Sequence, residues 1–225
     1  MSKKIYLSPS NQDGNLYAYG GTNEMEQCNR IADAAKTALE RCGFIVKKAP
    51  KGQNMSKSIA ESNIWGADLH MPIHTNAGGG QGTVVFVFNQ SADNMKIANP
   101  VYQAVQAVTP GKTDYGVRLN PDLAELNSTT AVAVYVEVDF HDNADIAKWL
   151  IENPNAVGEA IAKGICKGYG VTYKAPSTTS SDSIFEKKFY RVQVGAFTDK
   201  SNANECLKKA KAAGFKNAFI VEVKS

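Results

Sequence analysis

Along the first 170 residues, short apolar runs alternate with longer segments in which apolar residues recur at helical spacing. Apolar runs predict strands at residues 4–7, 44–46, 82–88 and 132–139, with a further strand ending at His74. Helical spacing predicts helices over residues 24–42, 55–65, 94–108, 144–150 and 154–169. Strands that alternate with helices predict an α/β fold, with a mostly parallel sheet flanked by helices.

The remaining residues show a change of pattern. Residues 174–187 are mostly small and polar, which is typical of a linker. Residues 189–197 and 218–223 then alternate apolar and polar, with helical spacing over 202–213, so a small β-α-β unit is expected. We therefore predict a main domain at 1–173, a linker at 174–187 and a C-terminal unit at 188–225, the last of a size that is rarely stable alone.

Composition indicates a globular protein but does not indicate which partner it binds. The chain is 43% hydrophobic and 21% charged, which is typical of a globular protein, and its formal charge of +3 is too weak to predict nucleic-acid binding. No apolar run reaches the roughly 18 residues of a membrane span, and the N-terminal residues lack the apolar core of a signal peptide. The expectation is a chain made in the cytoplasm and not inserted into a membrane.

The four cysteines lie far apart and include no Cys-x-x-Cys pair. Cys28 and Cys42 fall on the apolar side of a predicted helix. We therefore interpret Cys28, Cys42, Cys166 and Cys206 as reduced core residues rather than as a disulfide framework or a zinc knot.

Side chains that can bind metal or take part in catalysis cluster near predicted strand ends. Asn11 and Gln12 follow the first strand, Glu24 begins a helix, His74 ends a strand and Glu137 lies late in another. Parallel α/β sheets gather functional groups at the carboxyl ends of their strands. A histidine, a carboxylate and one further ligand can hold a catalytic zinc ion, and a second carboxylate can then move protons, so the set predicts metal-assisted amide hydrolysis.

Each of these residues also has an ordinary structural interpretation. Glu24 suits a helix N-terminus, Asn11 and Gln12 suit a turn, and it is their convergence with the other positions that favours a site. His70 is a poor second ligand, because four residues along a strand span about 13 Å, too far to share one ion with His74.

Three segments resemble type 3 N-acetylmuramoyl-L-alanine amidases: Ile-Tyr-Leu-Ser-Pro-Ser-Asn at 5–11, Ala-Asp to Ile-His-Thr-Asn-Ala at 67–77, and Val-Tyr-Val-Glu-Val-Asp-Phe at 134–140. The similarity spans about residues 3–170. It implies a zinc enzyme that cuts the bond between muramic acid and the first L-alanine of peptidoglycan. It further implies Glu24 and His74 as zinc ligands and Glu137 as the catalytic residue.

One position departs from the family, because Asn11 stands where the family has its first histidine ligand. An amide oxygen is a poorer zinc ligand than imidazole. Three explanations remain open: Asn11 or Gln12 is a weak third ligand, a remote histidine such as His141 replaces it, or the protein binds peptidoglycan without cutting it. We favour Gln12, whose longer side chain has more reach.

The resemblance also suggests substrate contacts and a role for the tail. Arg118 and Asn127 lie where the family has a substrate-facing loop, and Asn76 is placed to orient His74 or to contact substrate. Residues 190–197 and 212–215 resemble the first half of a SPOR domain, which implies binding to peptidoglycan glycan strands. One β-α-β unit is predicted where the full domain has two, so we expect a homodimer in which a second tail completes the sheet. The chain would act at the cell wall after release or holin-type permeabilisation, as an endolysin or an autolysin does. A third interpretation is a cytoplasmic enzyme acting on a small amide.

Overall fold

The computed structural model describes residues 2–176, 194–216 and 218–221. The chain divides into two compact units, Met1–Ser177 and Thr178–Ser225, which are described separately. Most of the predicted linker lies outside the described residues.

The first unit alternates strands and helices as the sequence predicts. Its six strands are β1 (Lys4–Pro9), β2 (Ile45–Lys48), β3 (Leu69–Asn76), β4 (Val84–Val87), β5 (Val117–Leu119) and β6 (Val132–Phe140). Its six helices are α1 (Glu24–Arg41), α2 (Met55–Trp65), α3 (Ala92–Val108), α4 (Ala124–Asn127), α5 (Ala144–Glu152) and α6 (Pro154–Tyr169). Among the described residues, no helix combines the length and the apolar character needed to cross a bilayer.

All six strands form one sheet in the order β2-β1-β3-β6-β4-β5. Neighbouring strands are parallel except β4 and β6, which are antiparallel. The prediction of a mostly parallel α/β sheet is therefore confirmed. Strands β1, β3 and β6 are adjacent, so their carboxyl ends meet at one edge.

The two faces of the sheet differ in chemistry, because successive side chains along a strand point to opposite faces. One face carries the apolar residues of the main core and packs against α1, α3 and α6. Gly158 and Gly164 of α6 allow this helix to pack closely against α1 and α3, since an added Cβ would lie 2.6 Å from the Ala35 nitrogen and 2.5 Å from the Val101 Cα, respectively. The other face carries Tyr6, Ser8, His70, His74, Tyr135 and Glu137.

The segment before β6 differs from the prediction. Arg118 and Asn127 were expected in a loop, whereas Arg118 lies in β5 and Asn127 ends α4. Both elements were missed because they contain only three and four residues, too few to show a periodic pattern.

The second unit contains α7 (Lys200–Ala212), which overlaps the predicted helix at 202–213. Residues 194–197 and 218–221, expected in strands, are described without strand structure, and the rest of both predicted strands lies outside the described residues. A strand requires a hydrogen-bonded neighbour, and a lone β-α-β unit offers few. Cys28, Cys42 and Cys166 are buried as expected, but Cys206 on α7 is partly exposed, which corrects the interpretation of that residue as part of a core.

Candidate active site

His74 and Glu137 face each other across the carboxyl ends of two adjacent strands. They are register partners on the parallel strands β3 and β6. The Tyr135 ring, two residues before Glu137, stacks on the His74 imidazole with 4.6 Å between ring centroids. The strand register therefore sets the position of both groups, as expected for a site at the carboxyl edge of such a sheet.

Glu24 reaches the same edge from the first turn of α1. The Asn23 side chain caps this helix by accepting a hydrogen bond from the Glu26 nitrogen at 2.9 Å. The loop before the helix is tied to it by backbone hydrogen bonds, from Glu24 N to Asn15 O at 2.9 Å and from Met25 N to Gln12 O at 3.2 Å. Capping and loop contacts together fix the direction in which the Glu24 carboxylate points.

The side chains of His74, Glu24, Gln12 and Asn15 form one connected cluster. His74 Nδ1 lies 2.8 Å from Glu24 Oε1 and 3.4 Å from Gln12 Nε2. Asn15 Nδ2 donates to both Gln12 Oε1 and Glu24 Oε2 at 2.7 Å. The structure thus brings together three of the residues named from sequence and adds Asn15.

Burial and charge act in opposite directions on this pair. Burial alone would raise the pKa of Glu24, but hydrogen bonds from His74 and Asn15 hold that pKa below its ordinary value. Burial alone would likewise lower the pKa of His74, but the neighbouring carboxylates of Glu125 and Glu24 raise that pKa to about 9. Both shifts favour the charged forms of Glu24 and His74, whose atoms Oε1 and Nδ1 lie 2.8 Å apart.

The carboxyl pKa of Glu137 is raised, whereas that of Glu24 is lowered. The Oε2 atom of Glu137 is buried and has no hydrogen-bond partner among the described residues. Burial raises the pKa of its carboxyl group to about 7, since the opposing charge of His74 only partly offsets the loss of hydration. A carboxyl group with this pKa can both accept and donate a proton near neutral pH.

A third carboxylate, that of Glu125, approaches the other side of His74. Its Oε2 lies 3.8 Å from His74 Nε2, and its Oε1 accepts hydrogen bonds from the Ser8 hydroxyl and, at 3.2 Å, from His70 Nε2. Burial would raise the pKa of Glu125, but the two histidines and Ser8 lower that pKa to about 2. His70 is fully buried and stacks on Tyr6 with ring centroids 5.4 Å apart, so it is a core residue outside the Glu24 cluster.

Asn11 and His141, the two alternatives to Gln12 as third ligand, differ from Gln12 in their contacts. The described hydrogen-bond contacts of His74 Nδ1 are with Glu24 Oε1 and Gln12 Nε2 and do not include Asn11. His141 Nδ1 lies 2.9 Å from Thr75 Oγ1 and 3.0 Å from Thr75 O, and its ring stacks on Tyr17. Thr75 points to the sheet face opposite His74, so His141 is engaged away from the cluster.

The three candidate substrate-binding residues make local contacts. Asn76 Oδ1 accepts a hydrogen bond from Ala77 N at 2.9 Å. Exposed Arg118 stacks over the Tyr115 ring, with its guanidinium carbon 5.2 Å from the ring centroid. Asn127 Nδ2 donates to Pro121 O at 2.9 Å, which closes the segment that carries α4. The structure does not join these three residues to the His74 cluster, and their role as substrate contacts stays a prediction.

The donor set can be compared with the requirements of a zinc ion. No group of three or more His, Cys, Asp or Glu side chains in the described part of the chain has the arrangement of a metal site. His74 Nδ1 and Glu24 Oε1 nevertheless converge on one point, and the unpartnered Oε2 of Glu137 is buried beside them. Gln12 reaches the same point but turns its amino group towards His74, because Asn15 holds its oxygen. Two strong donors therefore fit zinc directly, and the Gln12 amide fits after a half-turn.

Solved structures share this α/β architecture. The catalytic domain of the N-acetylmuramoyl-L-alanine amidase CwlV from Bacillus (Paenibacillus) polymyxa var. colistinus matches with a TM-score of 0.67 and 20% identity, over 76% of this chain and 99% of that one. An N-acetylmuramoyl-L-alanine amidase from Clostridium difficile 630 matches with a TM-score of 0.67 and 17% identity, over 75% of this chain and 97% of that one. At these identities the likeness concerns the fold.

Sequence comparison gives the family. The Amidase_3 model, described as N-acetylmuramoyl-L-alanine amidase, matches residues 9–167, and a SPOR domain model matches residues 167–222. A sporulation-specific N-acetylmuramoyl-L-alanine amidase of Bacillus subtilis (strain 168) is 25% identical over 230 residues, covering 97% of this chain and 85% of that protein. The chain belongs to the N-acetylmuramoyl-L-alanine amidase (Amidase_3) family. The predicted boundaries of its three parts stay predictions.

Sequence reasoning missed Asn15 and Glu125. Asn15 lies in a polar, glycine-containing loop, where asparagine is normally a turn residue. Glu125 stands between Ala124 and Leu126 in a segment without periodicity. A lone glutamate flanked by apolar residues was the available signal for Glu125, because such a carboxylate needs a buried partner.

Glu137→Gln is predicted to stabilise the metal-free protein at alkaline pH. Its carboxyl pKa is about 7 when folded against an ordinary 4.5, so the unfolded chain ionises first and wild type loses stability as pH rises between these values. One pKa unit corresponds to about 1.4 kcal/mol, so we expect a gain of about 1–3 kcal/mol in the free energy of unfolding at pH 8 and little gain at pH 5.

The measurement is denaturant unfolding of the full chain, followed by circular dichroism in the presence of a chelator. Glu152→Gln, at the exposed end of α5, is the matched control and should show no such pH dependence. Equal gains at both pH values, or no gain at pH 8, would contradict the assignment of a buried, uncompensated carboxyl group.

Proposed function

We propose that this protein is a zinc-dependent amidase that hydrolyses the bond between the lactyl group of muramic acid and the first L-alanine of the peptidoglycan stem. The observation that carries the proposal is the convergence of His74, Glu24 and Gln12 on one point, with the unpartnered Oε2 atom of Glu137 on the adjacent strand, where Glu137 is the register partner of His74. Membership in the amidase family supports the same reaction.

The position of each residue suggests its role in the proposed reaction. His74 Nδ1 and Glu24 Oε1 would hold the ion, with Gln12 as the third ligand after its amide turns. The chemistry that zinc supplies in such a site is acidification of a water molecule and polarisation of a carbonyl group. Glu137 would accept the proton of the attacking water and pass it to the leaving amine, for which a pKa of about 7 is suited.

A second candidate function is peptidoglycan binding without cleavage. The observation that favours it is the orientation of Gln12, whose oxygen accepts from Asn15 while its amino group faces His74. If the Asn15 contact holds against zinc, only two strong ligands remain. A third candidate, hydrolysis of a small soluble amide, uses the same residues on another substrate.

Glu137→Ala tests the proposed reaction. We expect stoichiometric zinc in both wild type and variant, release of stem peptides from purified walls by wild type, and a loss of about 10²-fold or more in the variant. Glu152→Ala, on the exposed end of α5, should digest walls like wild type. Metal analysis of the purified chain accompanies the digestion assay.

Each alternative gives its own result in these assays. Walls that are bound but left intact by a zinc-free wild type would overturn the enzyme in favour of the binding protein. Cleavage of short soluble amides with walls left intact would favour the third candidate.

A matched pair of variants tests the third ligand. Gln12→Ala is predicted to weaken zinc binding by about tenfold or more, whereas Asn11→Ala should leave it close to wild type, because Gln12 makes the contact with His74. Competition with a chromogenic chelator measures both affinities. If Asn11→Ala loses zinc and Gln12→Ala keeps it, the assignment of Gln12 is wrong.

We also propose that the tail at 188–225 binds peptidoglycan glycan strands and pairs with the tail of a second copy. The SPOR match supports the first part. Large apolar side chains left exposed in this unit support the second: Val194, Phe197, Phe215, Phe219, Ile220 and Val221. A chain tethered in this way meets its substrate at a raised effective concentration.

Comparison of the full chain with a chain ending at residue 177 tests the tail. Light scattering should give a dimer for the full chain and a monomer for the shortened one, and only the full chain should sediment fully with purified walls. Monomers in both cases would exclude the pairing, and equal sedimentation would exclude the tail as the wall-binding part.

A further inference from the structure

The two histidines of β3 are joined by a carboxylate that neither the predicted chemistry nor the proposed reaction uses. His70 and His74 lie on the same sheet face, and the Glu125 carboxylate from α4 faces the Nε2 atoms of both rings. Glu125 Oε1 is occupied by the Ser8 hydroxyl and by His70 Nε2 at 3.2 Å. Its second oxygen, Oε2, faces His74 Nε2 at the ion-pair distance of 3.8 Å.

His74 therefore presents its two ring nitrogens to different partners. Nδ1 faces Glu24 Oε1 at 2.8 Å and Gln12 at 3.4 Å, whereas Nε2 faces Glu125. A metal-bound histidine is neutral, so one nitrogen carries a hydrogen and the other offers a lone pair. An acceptor beside one nitrogen decides which form is favoured.

We propose that Glu125 is a positioning residue that places the hydrogen of His74 on Nε2 and so leaves the Nδ1 lone pair directed at Glu24 and Gln12. The inference rests on the proposed zinc site and names the chain's own device for orienting its single imidazole ligand. It assigns Glu125 no contact with substrate.

The surroundings of Glu125 are built to hold it in place. It is 4% exposed, and the next residue, Leu126, packs against Ala133 and Tyr135 of β6. The Thr129 hydroxyl donates to the Glu125 carbonyl oxygen at 3.0 Å. Because Ser8 and His70 both engage Oε1, the carboxylate cannot rotate freely, and Oε2 stays aimed at His74.

Glu125→Gln is a sharp test because it keeps the size of the side chain and reverses one hydrogen-bonding group. Ser8 and His70 both donate to Oε1 in the wild type, which favours the amide oxygen at that position and the amino group facing His74 Nε2. Two donors then meet, which favours the form of His74 with its hydrogen on Nδ1 and obstructs the ion. We expect a loss of about 10–100-fold in zinc affinity with the fold retained.

A long-range ¹H–¹⁵N correlation spectrum of the zinc-loaded full chain reads the form of His74 directly. The chain has only 3 histidines, and the signals of His74 are identified by their loss in His74→Gln. The expected pattern is a protonated Nε2 and a zinc-bound Nδ1. Zinc bound through Nε2, or a Glu125→Gln variant that binds zinc within about twofold of wild type, would overturn the inference.

Two further variants separate positioning from general stability. Ser8→Ala keeps the charge of Glu125 but loosens Oε1, and it should lower zinc affinity by a smaller factor than Glu125→Gln does. Glu61→Gln is the matched control, because Glu61 on α2 is also a partly buried carboxylate that accepts hydrogen bonds, from Tyr6 and Gln53, and it should leave zinc affinity unchanged. An equal loss of zinc affinity in Glu61→Gln would show that the effect arises from a general loss of stability, and it would overturn the inference.

The same measurements distinguish this inference from the proposed function. If wild type binds zinc and cuts walls while Glu125→Gln matches it, only the inference fails. If the nitrogen pattern and the affinity loss appear but walls stay intact, only the proposed reaction fails. If wild type binds no zinc, the metal site fails and the inference with it.

Discussion

The contact between His74 and Glu24 is the constraint on which the rest of the site depends. An imidazole and a carboxylate lie 2.8 Å apart, and both side chains are almost fully buried. Removing one partner would leave an isolated buried charge, which costs several kcal/mol. The loop before α1, the Asn23 cap and the register of β3 therefore have to place both groups together.

Glu137 follows the opposite rule on the neighbouring strand. Its register partner is His74, yet the Oε2 atom of its carboxylate has no hydrogen-bond partner among the described residues. Such a position lowers stability when the group is charged, and it keeps the pKa near neutrality. Local rules of protein structure are commonly broken where a group is kept ready for chemistry, so the unsatisfied carboxylate is the part of the site that stability alone does not explain.

The sequence predicted those features that depend on local pattern. Alternating apolar runs and helical spacing give the α/β sheet, and the rule that function gathers at strand ends brings Glu24, His74 and Glu137 together. Glu125 was missed because its partner Ser8 lies 117 residues away in the chain and its helix has one turn, so no periodicity marks it. Asn15 was missed because an asparagine in a turn needs no further explanation. Long-range contacts between unpatterned segments are the part that a single sequence does not encode in a readable form.

This chain has an amide where the family has its first histidine, so the proposed zinc site depends more on its remaining ligands. Asn11 holds that position, and the amide that reaches His74 is that of the next residue, Gln12. An amide binds zinc more weakly than imidazole, and the oxygen of Gln12 is also engaged by Asn15. A site with one imidazole depends on that ring offering the correct nitrogen at the correct angle, whereas a second imidazole would tolerate some misorientation. In the proposed zinc site, a weak ligand at Gln12 would make the orientation of His74 more important, and the carboxylate of Glu125 lies on the far side of His74, where it can fix that orientation.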